Sequence, residues 1–135
     1  MSFAFPVAGF LNFLSYFTVA VALTLVFQFV YVKATPYNEV ELIKKNNVAA
    51  ATTYAGAFIG FVLPLVSVIA HSLSVGDMVL WGLIAGVVQL VTFFIFRAFY
   101  PCLAQSIQNG ELARALKLAT VSVGVGALNA ACLTY

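Results

Sequence analysis

Four long apolar segments dominate the chain: Phe10 to Val32, Val48 to Ala70, Met78 to Phe96, and Leu118 to Leu133 with a helical lead-in from Leu112. A helix needs roughly 20 residues to cross about 30 Å of hydrocarbon, so each segment is long enough to span a bilayer. The expectation is an all-α integral membrane protein, a single membrane domain over residues 1–135. Charged residues make up only 7% of the chain, against about a quarter in soluble domains, and no stretch is left for a water-soluble unit. The first segment is too long for a signal-peptide core and has no basic residues before it, so it is expected to stay as a permanent helix. The aromatic stretch SFAFPVAGF is expected at the outer interface.

The basic residues fix an orientation. Lys33, Lys44 and Lys45 lie between the first and second segments, and Arg97, Arg114 and Lys117 lie around the connection from the third to the fourth. The connection from Ser72 to Asp77 and both ends of the chain have no lysine or arginine. By the positive-inside rule both basic loops are cytoplasmic anchors and both termini face out. Cys102 and Cys132 then sit a bilayer apart, too far for a disulfide. Both read as small apolar residues rather than reactive thiols.

The first connection opens with Thr35 and Pro36, an N-cap and first-turn pair, and NEVELIKK has room for about two helical turns. Val40, Leu42 and Ile43 then face the membrane surface or the bundle. Glu39, Glu41 and the lysines stay in water, the pattern of a short interfacial helix. Asn46 and Asn47 turn the first corner and Asn109 and Gly110 the second, residues that tolerate a left-handed backbone. Asp77 and Glu111 suit the starts of the third and fourth helices, and Glu111 stands at ion-pair spacing from Arg114.

Inside the membrane, the second segment projects Thr53, Gly56, Gly60, Pro64, Ser67 and His71 within about 80 degrees, a face small or polar throughout. Glycines at this spacing allow close helix approach, and Pro64 frees a carbonyl that a neighbour must satisfy. Gly82, Gly86 and Gln89 share a face of the third helix, with Gln89 near mid-depth, so this face points into protein or a wet cavity. On the first helix Thr24 and Gln28 share a face, either for an interhelical hydrogen bond or for a ligand. Glu111, Ser122 and Asn129 form a polar stripe on the fourth. His71, at the outer edge, is either wetted by outside water or proton-sensitive.

Sliding the chain by 64 positions superposes Lys33 on Arg97, Ile43 on Ile107 and Gly60 on Gly124, among other matches. Each unit holds two helices, so the halves 7–71 and 72–135 are expected as two parallel repeats, each a helical hairpin. The glycine face of Gly56 and Gly60 then aligns with Thr120, Gly124 and Leu128, and is expected to be where the two hairpins pack. The stripe of Glu111, Ser122 and Asn129 has no full counterpart in the first half and draws the functional weight. The stretches TPYNEVELIKKNNVAAATTYAGAFIGFVLPL and NGELARALKLATVSVGVGALNAAC resemble the YjfL-like family of bacterial inner-membrane proteins over about Phe17 to Cys132. Asn46 departs from the glycine expected at the family's corner but keeps a residue suited to that turn. The resemblance implies residence in the bacterial inner membrane and a duplicated two-helix unit. It brings no catalytic or ligand residues.

No nucleophile stands beside a base, no cluster has metal-ligand spacing and no glycine loop is built for phosphate, so no enzyme, metal site or cofactor is expected. The basic residues are accounted for by orientation, leaving nothing for nucleic acid. Two readings remain. One is a homo-oligomeric channel or transporter subunit for a small ion or polar solute, lined by Gln28, Gln89, Glu111, Ser122 and Asn129. The other is a non-catalytic adaptor docking a cytoplasmic protein at the 35–47 and 99–110 loops.

Overall fold

A computed structural model describes residues 6–133, which form six α-helices and no strand. Ser2 to Phe5, part of the aromatic stretch expected at the interface, lie outside the described residues. Four helices are long and apolar enough to cross a membrane: α1 (Val7–Ala34), α3 (Val48–His71), α4 (Val75–Phe99) and α6 (Leu112–Cys132). Two short pieces of six residues each join them in pairs, α2 (Glu39–Lys44) and α5 (Leu103–Gln108). The sequence led to α2 but not to α5, whose first turn has no side-chain cap. α2 and α5 start at residues 39 and 103, and α3 and α6 at 48 and 112, both at the 64-residue offset of the sequence match.

The boundaries follow from local chemistry. The Asn47 side chain accepts from the Ala50 amide and starts α3, and the Ser74 hydroxyl accepts from the Asp77 amide and starts α4. Asn46 turns the chain between α2 and α3 with a φ of 65°, and Gly110 does the same before α6 with a φ of 77°. At the first connection the N-cap is Asn38, not the expected Thr35. Thr35 closes α1 instead, its one hydroxyl proton shared between the Val32 and Tyr37 carbonyls.

The two connections meet at one end of the bundle, which carries all six basic residues and is called the basic end below. Asn47 ties them together, donating from its amide to the Ile107 carbonyl at 2.9 Å. Arg114 turns to the Ser106 hydroxyl at 3.0 Å rather than to Glu111, so the expected i,i+3 pair is replaced by a bond to α5. Lys117 reaches across to the Tyr100 hydroxyl and lies over that ring.

α3 is the central helix, buried along one whole face from Ala49 to Val68. α6 packs along it most closely, and both α1 and α6 also touch α4. α1 is the most peripheral spanning helix. It buries only Phe27, Gln28 and Tyr31, by stacking Phe27 on Phe61 and setting Tyr31 edge-on to Phe93. Its other half shows Phe10, Phe13 and Phe17 outward, as expected of a surface in lipid.

Candidate functional site

The polar residues singled out in the sequence divide into a structural set and an unpartnered set. Gln89 heads the first. Its amide nitrogen donates to the Gly60 carbonyl at 3.0 Å and to the Ser122 carbonyl at 2.9 Å, joining α4 to α3 and α6. Gly60 lies four residues before Pro64, which has no N–H to give it, so Gln89 supplies the donor that the proline removes. A side chain at Gly60 would meet the Ser122 oxygen at 2.5 Å and the Gln89 amide at 2.7 Å, so only glycine leaves room. Gln89 is thus committed to holding three helices together.

The glycine face of α3 does pack on α6, but on a different face of α6 from the one expected. An added Cβ at Gly56 would strike the Ala119 Cα at 2.5 Å, and one at Gly126 would strike the Gly60 Cα at 2.7 Å. Gly124, the alignment partner of Gly60, is exposed with nothing within 4 Å of an added Cβ, and Leu128 is exposed as well. Ser122, assigned to the polar stripe, is buried against α3. The reason is geometric: an internal match pairs equivalent positions, whereas a crossing pairs whichever positions meet. Gly82 faces Leu23 and Leu65, and Gly86 faces Phe27 and Phe61.

The polar stripe does not act as one unit. Glu111 is exposed at the basic end and caps nothing with its side chain. Asn129 is half-buried toward the other end, its amide nitrogen without a hydrogen-bond partner among the described residues. Thr24 donates to the Ala20 carbonyl of its own helix, so the expected bond between Thr24 and a neighbouring helix does not form. Ser67 makes the interhelical bond instead, donating to the Ala130 carbonyl at 2.8 Å. His71 is exposed, its ring on the Ser67 carbonyl, and both cysteines are exposed and free.

Glu39, expected in water, is fully buried at 0% exposure, whereas Val40 and Ile43 are exposed. It opens α2 one turn before Leu42, the half-buried residue that seats this short helix, and so shares Leu42's inward face. Asn38, accepting from the Glu41 amide at 3.1 Å, fixes the start of the turn, and the Thr35 bridge to the Tyr37 carbonyl tightens the chain before it. Tyr31 from α1 and Tyr37 from the connection close around the carboxyl group, and Thr53 from α3 backs the two phenols. Tyr31 is 2% exposed, Tyr37 5% and Thr53 0%.

Neither carboxylate oxygen of Glu39 has a hydrogen bond of standard length among the described residues, nor has the Tyr37 hydroxyl. The two phenols are nonetheless close enough for their dipoles to favour the charged form. Burial is the larger effect and pushes the carboxyl up to about 8 against them. Burial first and the Glu39 charge second raise the Tyr37 phenol above its ordinary value. No cation contributes to the Glu39 balance. Gln28, one turn deeper on α1 than Tyr31, is 6% exposed, with neither amide atom partnered among the described residues. A buried polar group left unpaired costs about 1–3 kcal/mol, and Gln28 and Glu39, each with both terminal atoms unpartnered among the described residues, carry most of that cost in this bundle.

The sequence match gives this feature no copy. Positions 92, 95, 101 and 103, the counterparts of Gln28, Tyr31, Tyr37 and Glu39, are Thr92, Ile95, Pro101 and Leu103, the last buried and apolar. The signal available in the sequence was the three-residue spacing from Glu39 to Leu42, which places an acid on the side of α2 that Leu42 seats inward.

Comparison with known proteins places the chain among membrane proteins. The family model described as Domain of Unknown Function (DUF350) matches residues 4–133. The chain is 40% identical over 125 residues to the UPF0719 inner membrane protein YjfL of Escherichia coli K12, covering 93% of this chain and 95% of that protein. It is 31% identical over 123 residues to the UPF0719 transmembrane protein YshE of Bacillus subtilis, covering 87% and 89%. No solved structure matches the chain. With four spanning helices and relatives of this kind, the chain is a multi-pass inner-membrane protein and belongs to the DUF350 family, whose function is unknown.

Proposed function

We propose that the protein is a non-enzymatic, homo-oligomeric channel or transporter subunit for a small ion or polar solute, with both termini outside and the basic end in the cytoplasm. The observation that carries this reading is the pair Gln28 and Glu39, buried on the first hairpin with four polar side-chain atoms unpartnered among the described residues. Buried polar groups left unsatisfied are expensive, and one within a spanning helix, as Gln28 is, is a mark of transport pathways. A four-helix unit has little interior, which favours a pathway between copies. The groove between α3 and α6, about 580 Å³ and lined by Thr52, Gly56, Thr120 and Gly124 among others, offers small residues to a second copy.

The purified protein in liposomes tests this directly. Flux of a monovalent ion or small polar solute above that of empty vesicles is expected, with a reduction of at least several-fold in Gln28→Leu. No flux above empty vesicles, or flux unchanged by that substitution, refutes it. The adaptor reading draws on exposed Val40 and Ile43 beside a groove formed by Asn38, Glu41, Leu42, Lys45 and Gln108. Crosslinking from Glu41 and Gln108 in cells separates the two, because an adaptor gives a discrete heteromeric product and a channel gives self-contacts.

A further inference from the structure

We propose that Glu39, fully buried beside Tyr31 and Tyr37, is a proton-binding site, and that its protonation holds α2 seated on the membrane domain. This rests on the transport reading above and names a proton as the ion bound at the same site.

The geometry excludes the two usual fates of a buried acid. It is not ion-paired, since the groups acting on it are the phenols of Tyr31 and Tyr37, and Arg97 from α4 bears on Tyr37 rather than on Glu39. It is not a helix cap, because Asn38 fills that role for α2. From α3, Thr53 bears on the two phenols, its hydroxyl donating to the Ala50 carbonyl at 3.0 Å. The remaining charged side chains of α2, Glu41, Lys44 and Lys45, are exposed, with Glu41 and Lys45 paired to each other at 3.2 Å. A carboxyl group in such a place is stable when neutral and strained when ionised. The upward displacement to about 8 has the same cause and places the change of state within reach of cytoplasmic pH.

The position makes that change of state mechanical. α2 has six residues and is anchored inward through Glu39 and Leu42. When the carboxyl O–H gives its proton to water, the carboxylate left behind favours solvation, and the six-residue helix has one remaining inward anchor. Reprotonation restores the neutral acid and the seat. The flanking connections are short loops, pinned by Thr35 on one side and by Asn47 on the other. The movement is therefore confined to the segment between them.

Two measurements in nanodiscs test the site. In a Glu41→Gln, Glu111→Gln chain Glu39 is the sole glutamate, so its ¹³C-carboxyl shift reports it alone. The expected midpoint lies near pH 8, whereas a midpoint in the ordinary glutamate range near 4.3 overturns the proposal. Amide hydrogen exchange of residues 40–45 is then compared at pH 9 between the parent chain and Glu39→Gln, the neutral isostere. At least tenfold slower exchange in Glu39→Gln at pH 9, with no difference at pH 6, is expected. Equal exchange at both values overturns the seating role, and if Glu39→Gln fails to fold, the parent chain's own titration still decides the proton site. A high midpoint with no liposome flux removes the transport reading and leaves the proton site standing. An ordinary midpoint with flux intact does the reverse.

Discussion

Replacing Gly60 by alanine tests whether α3, α4 and α6 are held where Gln89 joins them. The added methyl would lie 2.5 Å from the Ser122 carbonyl oxygen and 2.7 Å from the Gln89 amide nitrogen, so both Gln89 hydrogen bonds must break or α6 must move. Two hydrogen bonds at about 1 kcal/mol each and overpacking of about 1–3 kcal/mol oppose about 1 kcal/mol gained from alanine's helix propensity. The net expected loss is about 2–4 kcal/mol. Gly124→Ala is the internal control, because the same change on the partner helix meets nothing within 4 Å. It is expected to be neutral or to stabilise by about 0.5–1 kcal/mol. Unfolding in bicelles, followed by helical circular dichroism or by steric trapping, measures both. A Gly60→Ala protein within about 0.5 kcal/mol of the parent, or a Gly124→Ala protein as damaged as Gly60→Ala, would refute the junction, since the two lost hydrogen bonds alone outweigh the helix-propensity gain by about 1 kcal/mol.

Three further outcomes follow from other parts of the bundle. Gln89→Leu leaves the Gly60 carbonyl unpaired at a cost of about 1–3 kcal/mol, and Pro64→Ala in the same chain returns an N–H to it; additive losses in the double variant would show that Gln89 does not answer the proline. The raised carboxyl makes stability depend on pH with a definite sign. Between an unfolded midpoint near 4.3 and the folded value of about 8 the folded state holds the extra proton, so stability is full below about pH 4 and falls by about 1.4 kcal/mol per pH unit until near 8. Glu39→Gln flattens that slope, and parallel melting curves for the two proteins from pH 5 to 8 would exclude it. In a chain freed of Cys102 and Cys132, Asn46→Cys is expected to be shielded from an impermeant thiol reagent in intact cells with permeabilised outer membranes and Ser74→Cys to react; the opposite pattern reverses the orientation.

What could be read in the sequence was whatever depends on long periodic runs. Each spanning helix is within a few residues of its apolar segment, except that α6 takes in the lead-in from Leu112, and the corners at Asn46 and Gly110 are where small or left-handed residues put them. Gly56 and Gly60 face a helix, as their spacing requires. Their partners on α6 were not legible, because Gly124 and Gly126 differ by two residues and only the crossing itself decides which one is used. Glu39 was hidden for another reason. In a helix of one to two turns the wet and dry faces are defined by a single residue, here Leu42, and the presence of charge argued for water more strongly than that residue argued against it. Gln28 was visible as a polar residue in an apolar helix, but its lack of a partner is a property of the packed bundle alone.

The uneven burial of α1 has a consequence for biogenesis. Its docking residues, Phe27 and Tyr31, rest on Phe61 of α3 and Phe93 of α4, both of which are synthesised later. The nascent first helix therefore enters the bilayer before its receptor surface exists and must be acceptable to lipid alone. Thr24 meets that demand by bonding within its own helix, and the outward-facing phenylalanines need no protein neighbour. Gln28 is the exception, a polar group that waits in the membrane for the rest of the chain and is still unpartnered once that chain has arrived.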